Sequence, residues 1–405
     1  MSNKKTKAIF YAYSNNALDH LAPYAVLCHK KEIECVVIFG EDFVKYKVTP
    51  NKNIIQIFKD LRIHTFNFPQ LEKKGTMQFL FSYIWSLTKI IENFNYVPNF
   101  FKNKMKGLCN KFFKNINGEL IGINTAKKLL ENTNNVLVFT DFWSKKKKIQ
   151  NGFLSYVKGK ATIISTNHVP WHFHHDEKIP QKSFREDIAI VTNSWEASAK
   201  NFIEQKEITG SLRYSRKWIE ILDKYNQEKI SEKISKKNVL VLAHTETHTS
   251  DWERMLELLR ELNRKEDINL SILPHIRGMI NMKPPKDLEK VWDKKSNLDS
   301  AVKKADIVIF WTTSAIFEAV VRNKKIFYLS FLSTLDGEYI WQKEAPTNIV
   351  IKNETELLEE INRYKKNDLV DNSCFEKIIW PSGDPWSNVS NFLNKILNLN
   401  IKFNN

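Results

Sequence analysis

The sequence predicts an α/β fold built from two doubly wound domains. Three observations point to this. Short β-branched and aromatic runs alternate with helical patterns, the mark of βα units and parallel sheets. The alternation restarts near residue 237, after a polar, charge-rich stretch, so two sheets are expected rather than one. The 405 residues also exceed what one simple core organises.

The elements follow in order. KAIFYAY (7–13) reads as a buried strand, and NNALDHLAPYAVLCHKK (15–31) as a helix with apolar residues at helical spacing. IECVVIFG (33–40) is a strand closed by glycine. NIIQIFKDLRIHTFNF (53–68) fits a strand or a short helix-strand pair, and 124–142 a helix then a strand. ATIISTN (161–167) and DIAIVTN (187–193) are strands, the second leading into a helix over 194–205. In the second half, strands are expected at 237–245, 268–275, 306–313 and 324–331. Helices are expected at 250–265, 297–305, 314–323, 354–366 and 384–399. Ser250 and Glu253 have capping-box spacing for the first of these helices.

This pattern divides the chain into a first domain over 1–212, a linker over 213–236 and a second domain over 237–383. A closing helix over 384–405 would return to the first domain. Residues 77–115 break the rhythm, being rich in aromatics and lysine and poor in acids. They read either as a surface that rests on an anionic membrane face or as a helical flap packed on its own domain.

Charge narrows the partner. The formal net charge is +16, and it is uneven. Residues 1–212 hold 31 Lys and Arg against 18 Asp and Glu, whereas 213–405 hold 31 against 28. The first half therefore favours an anionic partner. No recognisable nucleic-acid reading module is present, so nucleic acid is not the expected one. The four cysteines are scattered with no CxxC pair, which argues against a zinc ribbon or a disulfide framework. The basic N-terminus has too short an apolar run for a signal peptide, and no stretch is long and apolar enough to span a bilayer. A cytoplasmic protein is expected.

Candidate chemistry lies at strand ends, where ligands bind in doubly wound sheets. In DIVIFWTTSAIFEAVV (306–321) a strand runs into Thr312, Thr313 and Ser314, and a helix follows. Hydroxyls and free N–H groups there suit a phosphate, although a plain capped helix has the same pattern. Glu318 lies one turn later, placed to reach a ribose hydroxyl. His275 and Arg277 follow the strand 268–275; Arg277 reads as a counter-charge for a diphosphate or as a surface arginine. After the first strand, Asp19 and His20 are adjacent on a helix, so only one of them should point into the cleft. His20 suits a base near neutral pH, or is a half-buried helix histidine. Arg213 and Arg216 fall where the chain enters the second domain, facing the cleft or solvated in the linker.

STNHVPWHFHHDEK (165–178) holds four of the ten histidines, with Trp171 among them. Pro170 argues against a continuing helix through the start of this loop, and the spacing specifies no closed metal site. The HTETH stretch (244–248) reads as a capped loop.

Residues 300–329 resemble the nucleotide-binding segment of GT-B glycosyltransferases, which implies two Rossmann-like domains facing each other across a cleft. ILPHIRG (272–278) resembles a strand end of polysaccharide-assembly enzymes, including CDP-glycerol phosphotransferases and capsule glycosyltransferases. Leu273 and Ile276 stand where that pattern has lysine and a second proline. The resemblance implies that His275, Arg277, Thr312, Thr313, Ser314, Glu318 and Arg213 bind the donor. It implies that Asp19, His20 or His168 is catalytic, with Trp171, His172 and His174 on the acceptor side. It implies no metal and no other cofactor. The expected partners are a nucleotide-sugar donor and an anionic glycan or lipid-linked acceptor, as in lipopolysaccharide or capsule assembly at the inner membrane face. The alternatives are a CDP-polyol phosphotransferase, a sugar-nucleotide 2-epimerase and, from another class, a nucleic-acid-binding protein.

Overall fold

The computed structural model describes residues 6–40, 50–67, 118–131, 133, 135–141, 148–166, 186–200, 203–226, 236–275, 284–293, 296–334, 349–366 and 368–403. Residues 77–115, His168, Trp171, His172, His174 and Arg277 lie outside them.

Two parallel sheets form the frame. The first has strands β1 (Lys7–Ala12), β2 (Glu34–Phe39), β3 (His64–Asn67), β4 (Val136–Asp141), β5 (Thr162–Thr166), β6 (Ile188–Val191) and β7 (Gln205–Ile208). Their order is β3-β2-β1-β4-β5-β6-β7. The second has β8 (Lys237–Ala243), β9 (Ile268–Pro274), β10 (Ile307–Phe310), β11 (Lys325–Leu329) and β12 (Val350–Ile351), in the order β12-β11-β10-β8-β9. Each sheet reverses its winding once, between β1 and β4 and between β8 and β10. Those reversals open crevices beyond the carboxyl ends of the strands, where such sheets bind ligands.

Both faces of the strands are covered. Along β1, Ala8, Phe10 and Ala12 enter one core while Ile9 and Tyr11 enter the core on the opposite face. This two-sided burial explains the near-continuous apolar strands. Helix α1 (Asn15–Lys30) is capped by Ser14, whose hydroxyl accepts from the Ala17 N–H at 3.2 Å. Its Leu18, Leu21 and Ala25 pack into the same core as Phe10. Helices α2 (Lys52–Asp60), α3 (Gly118–Leu130), α4 (Lys148–Val157) and α5 (Ser194–Ala199) complete the connections of the first sheet.

The chain then crosses between the cores. Gly210 has φ +79°, and a Cβ there would lie 2.8 Å from the Ile379 carbonyl oxygen. Only glycine fits that approach. The tight 3-10 turn Leu212–Tyr214 follows. Leu212 packs into the first core and Tyr214 into the second, leaving Arg213 between them. Helix α6 (Arg216–Tyr225) returns Trp218, Ile219 and Leu222 to the first core.

The second sheet carries α7 (Trp252–Arg264), α8 (Leu298–Lys304), α9 (Phe317–Val320), α10 (Glu354–Arg363), α11 (Ser373–Ile379) and α12 (Pro385–Phe403). Val389, Phe392, Leu393 and Ile396 of α12 lie in the core of the first sheet.

Several sequence expectations are corrected. The helix expected over 194–205 stops at Ala199, and Gln205–Ile208 pairs with β6 as a seventh strand. The backbone there pairs with β6 on one side, as the edge strand of the sheet. The α7 cap is Asp251, not Ser250: its carboxylate accepts from the Arg254 N–H at 3.0 Å. The Ser250 hydroxyl donates instead to the Phe331 carbonyl at 2.8 Å. The helix expected over 314–323 is a 3-10 turn (Ser314–Ile316) followed by the short α9. Asn323, at φ +52°, ends the segment before β11. Among the described residues, no helix is long and apolar enough to cross a membrane.

Candidate functional site

The carboxyl edges of both sheets meet at Arg213. Its side chain is only 9% exposed, and its guanidinium touches four groups. Nη1 donates to Asn16 Oδ1 at 3.0 Å and lies 3.1 Å from His20 Nε2. Nη2 lies 3.6 Å from Asp19 Oδ2, and Nε lies 3.6 Å from Glu318 Oε1. Asp19 and His20 therefore both reach the same cleft group, contrary to the expectation that only one would. Adjacent helical positions diverge by about 100°, but the broad planar guanidinium spans that divergence.

Glu318 is more tightly held than a ribose-binding carboxylate read from sequence would be. Arg322 Nη1 donates to its other oxygen at 2.8 Å, and Arg322 Nη2 reaches Asp223 at 3.0 Å. The result is a chain of alternating charge, Asp19–Arg213–Glu318–Arg322–Asp223, buried at its three central groups and partly exposed at both end carboxylates. It contains three carboxylates and two guanidiniums. Burial pushes the Asp19 carboxyl up to about 7; Arg213 opposes that rise, and Glu318 and Asp299 add to it. A carboxylate that titrates near neutrality is matched to proton transfer. Burial also raises the Tyr214 phenol. Its hydroxyl donates to the Ser314 carbonyl at 3.4 Å, tying the turn to the second sheet edge.

That second edge carries hydroxyls and imidazoles. The Thr312 hydroxyl lies 3.2 Å from the Ser333 hydroxyl, and Thr313 accepts from the Ala315 N–H at 3.2 Å. Across the switch point, the His244 ring stacks on His275 with centroids 4.4 Å apart. His248 meets His244 edge-on at 4.5 Å. The Thr245 N–H donates to His244 Nδ1 at 2.8 Å, which makes Nε2 the protonated nitrogen of a neutral ring. His244 was readable only as part of a capped loop, but it shares a sheet edge with His275. Its position directly after a buried strand was the signal, the same one that singled out His275.

Arg216 does not join the site: it is exposed and stacks 5.1 Å over the Trp380 ring. A recess beside the charged chain is lined by His20, Tyr24, Thr192, Ser211 and Arg213. Direct contacts hold the two edges together nearby, including Asn53 Nδ2 to Asp299 Oδ2 at 2.9 Å. Among the described residues, no group of three His, Cys, Asp or Glu side chains is placed to hold a metal ion.

No family model matches the sequence, and no curated protein matches it. Solved structures do match along nearly the whole chain. A UDP-GlcNAc 2-epimerase from Methanocaldococcus jannaschii is 11% identical, with a TM-score of 0.54, over 97% of this chain and 99% of that one. The wall teichoic acid polymerase TagF is 12% identical, with a TM-score of 0.51, over 99% and 90%. A glycotransferase of kitacinnamycin is 8% identical, with a TM-score of 0.50, over 97% and 99%. At such identities the likeness is one of fold, and one fold hosts several chemistries. Two parallel doubly wound sheets with facing carboxyl edges give this chain the GT-B architecture.

Proposed function

We propose that this chain is a glycosyltransferase that moves a sugar from a nucleotide-sugar donor to an acceptor hydroxyl. One observation carries the reading: a single guanidinium, Arg213, joins Asp19 and His20 at one sheet edge to Glu318 at the other. In this reading the second edge takes the donor. His275, with His244 stacked on it, and Arg277 would face the diphosphate. Thr312, Thr313 and Ser314 add hydroxyls, and Glu318 takes the ribose. Asp19 accepts the proton of the acceptor hydroxyl as that oxygen attacks the anomeric carbon. The bond from the anomeric carbon to the diphosphate breaks, and the nucleoside diphosphate leaves. His20 and His168 are the alternative bases. Trp171, His172 and His174 line the acceptor side.

The basic excess of residues 1–212 supports an anionic glycan or lipid-linked acceptor, as in lipopolysaccharide or capsule assembly. It equally supports work at the inner face of the plasma membrane, with 77–115 as the contact. Neither a metal ion nor nucleic acid enters the reading.

A thermal-shift panel of CMP, CDP, UDP, GDP and dTDP tests it. One nucleotide should stabilise the protein, by about 2.7 kcal/mol at a concentration one hundred times its Kd. No response to any of them overturns the reading. Glu318→Ala should abolish the response.

A second reading, transfer of a phosphoryl-alcohol from a CDP-alcohol, is favoured by the stacked His244–His275 pair, two imidazoles suited to phosphate oxygens. It predicts CDP as the winner and CMP as the released product. Conversion of a nucleotide sugar without acceptor would indicate a 2-epimerase instead.

A further inference from the structure

We infer that Arg213 is a positioning residue that couples ligand capture by Glu318 at one sheet edge to ionisation of Asp19 at the other. The inference rests on the proposed function only for the identity of the ligand that engages Glu318.

The asymmetry of the contacts carries it. Arg213 has two close neutral neighbours, Asn16 at 3.0 Å and His20 at 3.1 Å, which hold its Nη1 in place. Its two carboxylate contacts are both longer, at 3.6 Å, and lie on opposite edges. Glu318 has a closer arginine of its own, Arg322 at 2.8 Å. It can therefore release Arg213 without becoming an unpaired buried charge, the costly alternative. The carboxylates of this charged chain outnumber its guanidiniums by one, and among the described residues Arg213 is the nearest cation to Asp19. Among the described residues, the titratable groups facing Asp19 are Arg213 and Tyr214 from the turn, Glu318 from α9, Asp299 from α8 and His20 from its own helix.

A ligand whose hydroxyls engage Glu318 Oε1 competes with Arg213 Nε for that oxygen. The freed guanidinium then has Asp19 as its remaining carboxylate partner. Closer approach of that positive charge favours the ionised form of Asp19, and the proton leaves to solvent. The base is thereby armed only when the opposite edge is occupied. A purely structural ion pair would give no such linkage.

Two measurements test this. In the ligand-free full-length protein, the Asp19 carboxyl is titrated by carbon NMR, with Asp19→Asn assigning the signal. Glu318→Gln removes the carboxylate that competes with Asp19 for Arg213 and should lower the midpoint by about one pH unit or more. Arg213→Lys loses the spread of the guanidinium and should raise it. In the wild-type protein, isothermal titration with the stabilising nucleotide in buffers of different ionisation enthalpy should show release of roughly half a proton at pH 7. Unchanged midpoints in both variants, or nucleotide binding without proton release, overturn the inference. If no nucleotide binds but the midpoints move as stated, the coupling stands and the proposed function fails. If a nucleotide binds and nothing else moves, the reverse holds.

Discussion

The two sheet edges are built for different chemistry. The first presents a buried, charged constellation in which every ionisable group has a partner: Asp19 and His20 on α1, locked by Arg213. The second pairs its buried carboxylate, Glu318, with Arg322 and otherwise presents hydroxyls and stacked imidazoles at Thr312, Ser333, His244 and His275. Fixed charge near Asp19 tunes a proton. Neutral donors at a switch point can hold phosphate oxygens without building up like charge. In the proposed function this difference would separate proton handling from anion binding, with Arg213 between them.

Several experiments break or sharpen that comparison. The largest effect should come from Arg213→Ala. It removes the cation shared by Asp19 and Glu318 and the hydrogen-bond donor of Asn16 and His20, while Glu318 keeps Arg322, so a loss on the order of 3 kcal/mol is expected. Urea denaturation measures this, and a loss below about 1 kcal/mol would mean that water already screens the junction. Gly210→Ala comes next. A left-handed backbone and a Cβ at 2.8 Å from a carbonyl oxygen predict a cost on the order of 1–3 kcal/mol. It should also weaken turnover by shifting the turn that carries Arg213.

Asp19→Asn tests the sign of the electrostatics. The native carboxyl titrates near 7, against an ordinary value of 3.8. Between those values the folded state holds a proton that the unfolded state has lost. Stability contributed by this group therefore falls as pH rises from about 4 to about 7. Asp19→Asn should flatten that fall and be the more stable form at pH 8; a steeper fall in the variant would contradict the burial argument. His244→Ala should leave stability nearly intact and weaken nucleotide binding by about tenfold, the worth of one hydrogen bond. The smallest effect belongs to Arg254→Ala at the half-exposed Arg254–Glu354 pair, whose contacts are 2.5 and 2.9 Å. Solvent screening predicts less than about 1 kcal/mol there despite the good geometry.

Much of the frame was legible in the sequence. Burial periodicity is local, so β1, α1, β10 and β11 could be placed from their own residues. Strand ends then singled out Asp19, His20, His275, Thr312 and Glu318. The same rule applied evenly would have kept His244. Short or weakly patterned elements escaped: β12 has two residues, and the QKEI of β7 has no apolar alternation. The cap of α7 was misplaced by one residue because Ser250 and Asp251 both suit the position, and only the Phe331 carbonyl draws Ser250 away.

By itself, then, the sequence determined the α/β class, the two sheets and the residues at their carboxyl edges, because those depend on neighbours close along the chain. Only the tertiary structure decided which edge residues meet. Arg213 lies 193 residues from His20 and contacts Glu318 from the other half of the fold. No periodicity encodes a contact of that span; it follows from strand order, and from Leu212 and Tyr214 anchoring neighbouring positions in two different cores. The buried charge between those anchors could take its partners only from the two facing edges, and that constraint set the site.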